Sequence, residues 1–156
     1  NIIYIGTSAF SENYYLKNIY FGKNLVAIGA YAFFNQNIMN PYRSLDFPDS
    51  LQVIGRYAFY KNKIEYLTLP KNLVRVEDYT FYNSSIDHLY LNDKLEYIGS
   101  NAFAYIDIYT NLVLPNSMKY IGSRAFFNVD LITIEVPESI EYIGSEVFKN
   151  GLRNYN

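Results

Sequence analysis

Residues 54–76 read IGRYAFYKNKIEYLTLPKNLVRV. In the second half, IEYLTLP (64–70) sets Leu67 and Leu69 on one side of the chain and Tyr66 and Thr68 on the other. That period of two is a strand with one buried face. Pro70 has no N–H to give to a ladder and marks the turn out of the strand. Three residues on comes Leu73 and three further Val76, both directed back inside. In the first half Ile54 stands four residues before Ala58 and five before Phe59, a spacing that suits about one helical turn. A unit this short cannot bury such side chains alone, so it calls for copies of itself.

The copies are present. An Ile or Val column runs Ile5, Ile28, Ile54, Val76, Ile98, Ile121, Ile143, with steps of 23, 26, 22, 22, 23 and 22 residues. Between them fall IYFG (19–22), LDFP (45–48), LTLP (67–70), LYLN (89–92), LVLP (112–115) and IEVP (134–137). From the start of each such phrase to the next Ile or Val the distance is 9 in all six cases. All length variation, including the insert near NPYRS (40–44), lies on the other connection. Stacked coils need this asymmetry, because register must hold where they pack while loops on one side are free to grow. The pairs Ala9-Phe10, Ala32-Phe33, Ala58-Phe59, Ala102-Phe103 and Ala125-Phe126 supply a large residue to fill the coil and a small one to let neighbours approach.

Units of the form I-G-x-x-A-F, a short loop, then L-x-x-[IL]-x-[IL]-P resemble the BspA-like leucine-rich repeat family. The resemblance spans essentially the whole chain, with six full periods and a partial seventh. The Asn of the more familiar leucine-rich repeat, L-x-x-L-x-L-x-x-N, is missing, and so is the Cys that the family often carries after Ala-Phe. Val76-Glu77 replaces Ile-Gly and Thr80 replaces Ala in the fourth unit. Were the Gly column left-handed, Glu77 would cost on the order of 1 kcal/mol. The expected fold is one right-handed β-solenoid domain over residues 1–156, of about seven units incomplete at both ends. One parallel strand per 22–23-residue coil is expected to form a single sheet, with short helical or irregular segments opposite. The resemblance implies a surface-exposed or secreted protein that binds other proteins or cells, some members looking like adhesins toward host matrix proteins.

Composition narrows the alternatives. With 50% hydrophobic and 19% aromatic residues, the chain is not disordered. A net charge of -2 leaves no surplus to neutralise phosphates, so nucleic acid is not an expected partner. No cysteine and a single histidine, His88, argue against a disulfide framework or a metal cluster, and no cofactor is expected. No apolar run approaches the roughly 20 residues that cross a bilayer, so no membrane insertion is expected in this segment.

Candidate sites follow from the columns. The outward strand face carries Tyr20, Asp46, Thr68, Tyr90, Val113 and Glu135, with Tyr66 and His88 in the column before. Tyrosines on such a face offer rigid amphipathic contact area, although Tyr is abundant throughout this chain. The expected partner is a protein ligand, host matrix or another cell-surface protein. SSIDHLY (84–90) holds the residue types of a nucleophilic triad, but His88 shares a column with Asn18, Ser44, Tyr66, Asn111 and Thr133, an ordinary outward position, so a hydrolase is only a remote alternative. Two aromatic columns, Tyr4, Tyr97, Tyr120, Tyr142 and Phe34, Tyr60, Tyr82, Phe127, suit stacking between coils. NSS (83–85) is a formal glycosylation sequon on a loop. The chain opens at Asn1 without Met and stops at Asn156, with no polar atypical repeat at either end. Head-to-tail stacking of its own copies into a filament or layer, or excision from a longer solenoid, is the matching expectation.

Overall fold

The computed structural model describes residues 1–16, 18–36, 44–108 and 111–151. The chain forms a parallel β-solenoid of about six turns, and no helix occurs among the described residues. Two strand stacks run along it. The phrase strands are β3 (Ser44–Leu45), β5 (Tyr66–Thr68), β7 (His88–Tyr90), β9 (Leu112–Val113) and β11 (Ile134–Glu135). The Ile columns form β1 (Tyr4–Ile5), β2 (Ala27–Ile28), β4 (Val53–Ile54), β6 (Arg75–Val76), β8 (Tyr97–Ile98), β10 (Tyr120–Ile121) and β12 (Tyr142–Ile143). Every pairing is parallel and joins like to like, for example Tyr66 to His88, Leu67 to Leu89 and Ile98 to Ile121.

The expectation of one sheet with one strand per coil is corrected here. From β3 onward each coil carries two strands, and the phrase strands divide into β3-β5-β7 and β11-β9. Residues 19–22 are not a strand, yet Phe21 keeps its column and stacks on Phe47 at 5.4 Å. The insert around Pro41 lies outside the described residues.

The segment after each Ile is a turn of a particular kind. Its alternate amides point sideways: Tyr31, Phe33 and Asn35 donate to Arg56, Ala58 and Tyr60 carbonyls of the next coil at 3.0, 2.9 and 2.7 Å. The amides between them, Ala32 and Phe34, reach back three residues to Gly29 and Tyr31 at 3.3 and 3.1 Å. A helix would spend all of them along its own axis. The arc is therefore closed by left-handed residues, two per coil, such as Tyr57 and Lys61 at φ 58° and 53°. Each such non-glycine residue costs about 1 kcal/mol, which the lateral bonds offset.

The glycines have no positive φ, so Glu77 carries no left-handed strain. Close approach explains that column instead. A Cβ on Gly55 would meet the backbone N of Ala30 at 2.6 Å, and one on Gly99 that of Asp78 at 2.6 Å. Where Glu77 brings a Cβ into this column, β4 and β6 remain side by side but share no ladder, and the stack divides into β1-β2-β4 and β6-β8-β10-β12. Nearby, Thr80 Oγ1 donates to the Glu77 carbonyl at 2.8 Å, and Arg56 bridges to Asp78 at 3.2 Å.

Inside the coils one column of rings runs end to end. Phe10, Phe33, Phe59, Phe81, Phe103, Phe126 and Phe148 stack at 5.2 to 5.7 Å with planes within 12° of parallel. The five inner rings are fully buried among the Ile and Leu columns. Two polar series replace the missing asparagine ladder. Beside the Phe column Gln36, Asn62 and Ser84 donate to the carbonyls of Phe10, Phe33 and Phe59 one coil back. After the phrase strands Ser50, Ser117 and Ser139 donate to Leu25, Leu95 and Met118 carbonyls at 2.7 to 2.8 Å. Phe59→Ala is expected to cost about 3–5 kcal/mol through lost transfer energy and the cavity left between Phe33 and Phe81. An unchanged denaturant midpoint in chemical unfolding contradicts that assignment.

Candidate protein-binding face

The sheet β3-β5-β7 orients the central residues of the outward face. Because Leu67 and Leu89 point inward and are buried, the pleat turns Tyr66, Thr68, His88 and Tyr90 outward. Tyr66 and His88 stack at 4.6 Å with planes 9° apart. Thr68 is in register with Tyr90, and Tyr66 with His88, so four side chains form one patch two coils wide. Tyr66 is 41% and Tyr90 53% exposed, while His88 is half-buried with Nδ1 enclosed and without a hydrogen-bond partner.

The other candidates extend this patch along the axis. Asp46 follows β3 and is exposed, and Ser44 Oγ donates to its carboxylate at 3.3 Å. Val113, 62% exposed, and Glu135 are paired in register on the separate sheet β11-β9. Tyr90 and Val113 flank a groove of about 260 Å³, which Asp93 and Asn111 also line. Tyr20 is 87% exposed but lies outside any strand, at the first coil. The structure thus brings Asp46, Tyr66, Thr68, His88 and Tyr90 together and sets Tyr20 and Glu135 toward the two ends.

The triad residue types are engaged in the scaffold. Ser84 is buried, donating to the Phe59 carbonyl at 2.7 Å and accepting the Asn62 amide at 3.1 Å, while His88 lies flat on Tyr66. The sequon is exposed at both Asn83 and Ser85.

A second aromatic surface occupies the turns. Tyr31, Tyr57 and Tyr79, each left-handed, stack at 4.9 and 4.7 Å, beside Phe34, Tyr60 and Tyr82 at 4.7 and 5.5 Å. Sequence reading found the second column and missed the first, whose other members are Ser8, Asn101, Arg124 and Glu146. On the Ile strands Tyr97, Tyr120 and Tyr142 stack at 4.6 Å, and the Arg75 guanidinium covers Tyr97 at 3.8 Å.

Residues 1–42 and 39–153 match the BspA type leucine-rich repeat region, in six copies. The chain belongs to the BspA-type leucine-rich repeat family. A crystal structure of a leucine-rich repeat protein from Bacteroides ovatus is similar at 22% identity and a TM-score of 0.50, over 94% of this chain and 50% of that one. This chain therefore spans half the length of that relative, and the likeness speaks for the fold. No curated protein matches significantly. No helix among the described residues is long and apolar enough to cross a membrane. A BspA-type repeat region is a repeat scaffold of a kind that supports protein–protein contact.

The stacked rings carry a pH dependence. Burial, and then neighbouring tyrosines, raise the Tyr57 and Tyr82 hydroxyls above their ordinary value; burial, and then the Asp78 carboxylate, do so for Tyr97. The folded state therefore holds these protons longer than the unfolded chain. Their contribution to stability is complete below about pH 10 and is lost as pH rises through the folded values. Absorbance titration of tyrosinate is expected to show a late-ionising subset among the 18 tyrosines, with urea resistance falling over the same alkaline range. Uniform ionisation with flat stability contradicts it.

Proposed function

We propose that this chain is one continuous solenoid domain and a non-enzymatic adhesion scaffold, displayed on a cell surface or secreted, that binds a protein ligand through its outward strand face. The observation that carries this reading is the patch Tyr66, Thr68, His88 and Tyr90. The sheet fixes its backbone, the Tyr66 and His88 rings stack on each other, and all four side chains stand on the opposite side of the strands from the core. Rigid aromatics lose little conformational entropy on contact and are the side chains most often found at the energetic centre of interfaces. Asp46 borders them on the same sheet, and Val113, Glu135 and Tyr20 extend the face along the axis toward the two ends. The family supports a binding scaffold, and it is often found at the cell surface or secreted.

The test is binding to a panel of purified extracellular-matrix and cell-surface proteins, read by surface plasmon resonance. The wild-type chain is expected to bind at least one of them, and Tyr66→Ala with Tyr90→Ala to weaken that affinity by about tenfold or more while the circular dichroism and denaturant midpoint stay in place. Full binding by a folded double variant, or no binding by the wild type to any of the panel, contradicts the reading.

A further inference from the structure

Tyr90 differs from its neighbours in the outward patch. Tyr66 and His88 stack on each other, whereas Tyr90 stacks on no ring among the described residues. The ladder that carries the Leu69 amide to the Tyr90 carbonyl at 3.0 Å is not continued to β9, which pairs with β11 instead. The groove of about 260 Å³ between Tyr90 and Val113 lies at that break. Leu91, Val113 and Pro115 make its walls apolar, and Asp93 and Asn111 supply its polar groups. Asp93 is exposed and forms no ion pair among the described residues; the neighbouring Lys94 ammonium donates to Asn72 Oδ1 at 2.8 Å. The volume is below the roughly 300 Å³ at which small-molecule sites begin, so the groove suits one side chain of a larger partner.

On the reading of the strand face as a protein-binding surface, we propose that this groove takes an arginine side chain of the partner, its guanidinium over the Tyr90 ring and against the Asp93 carboxylate, its methylenes along Val113. A slot with apolar walls, an open aromatic face and a carboxylate matches a long apolar stem with a planar cation at its tip. The chain fills the same combination from within on its Ile strands: the Arg75 guanidinium lies 3.8 Å over the Tyr97 ring while its Nε donates to Glu77 at 3.3 Å. The charge of the face points the same way. From β3 onward, the outward position of each phrase strand and the turn after it carry Asp46, Asp49, Asp93, Glu135 and Glu138 against Lys71 and Lys94. Of these, only Asp49 and Lys71 pair with each other among the described residues. The Ile-strand and turn side is balanced instead by pairs such as Arg56–Asp78, Lys119–Glu96 and Arg124–Glu146. A negative surplus beside an open tyrosine steers and holds a basic segment rather than an acidic one.

A pair of short peptides tests this apart from any whole-protein partner. Acetyl-Val-Arg-Val-amide and its twin with citrulline, which keeps the shape of arginine without its charge, are titrated to about 20 mM against the isotope-labelled chain and read by two-dimensional NMR. The arginine peptide is expected to shift the amides from Tyr90 to Lys94 and from Asn111 to Val113, and the citrulline peptide to bind at least about tenfold more weakly. Asp93→Asn and Tyr90→Ala are each expected to lower arginine-peptide affinity about tenfold with an unchanged denaturant midpoint, since both side chains are exposed. Glu141→Gln, which changes an exposed carboxylate on the Ile-strand side, is expected to leave that affinity unchanged. Equal binding of the two peptides, no shift localised to the groove, or a folded Asp93→Asn that binds as the wild type does overturns the proposal. Where such a result accompanies binding of a panel protein that Tyr66→Ala with Tyr90→Ala weakens, the protein-binding reading stands and arginine recognition alone fails.

Discussion

The close approach of one coil to the next governs this molecule. Backbone N–H groups reach neighbouring carbonyls at about 3 Å in both strand stacks and across the turns. That spacing, near the ordinary inter-strand distance of about 4.8 Å, is imposed on every side chain in the coil. It is why the glycines stand where they do, why flat rings fill the interior face to face, and why left-handed residues close the turns. The coil-to-coil ion pairs, such as Arg124–Glu146 at 2.6 Å and Lys119–Glu96 at 3.0 Å, also bridge adjacent coils. They lie in solvent and add little individually.

The interior was the most legible part of the sequence, because a residue facing the core recurs in every coil and any polar replacement is visible against its column. The second strand stack was harder to read. Tyr97–Ile98 and its equivalents are two-residue strands, too short for alternation to show. The turn was legible only as a helical or irregular segment for a related reason: Ile, then Ala at four and Phe at five, satisfies a helix and this arc equally well. What separates them is the direction of alternate amides, which leaves no mark on side-chain pattern. Residues such as Tyr57 and Lys61 at positive φ carry no compositional warning when neither Gly nor Asn is used.

The outward face was legible in position, since each of its residues sits beside an inward Leu or Ile whose orientation follows from the pleat. Its grouping was less so. The division between β7 and β9 separates Val113 and Glu135 from the Tyr66–Tyr90 patch, and nothing in the constant nine-residue step foretells it. The paired tyrosine columns of the turns combine stacking with backbone strain. Tyr31, Tyr57 and Tyr79 hold left-handed conformations that three aromatic residues adopt only with support from their neighbours. Stacking between coils supplies that support, and their edges remain available to solvent.

Glu77 is the natural experiment on the governing constraint, since it is the place where a side chain enters the glycine column and the place where the Ile-strand ladder divides. Site-resolved amide hydrogen exchange tests this most directly. The account predicts strong protection at Gly55, Gly99 and Gly122, with markedly faster exchange at Glu77 through local opening of the interrupted ladder. Uniform protection through Glu77, equal to that of the glycines on either side, would contradict the claim that close backbone approach at this column holds the stack together.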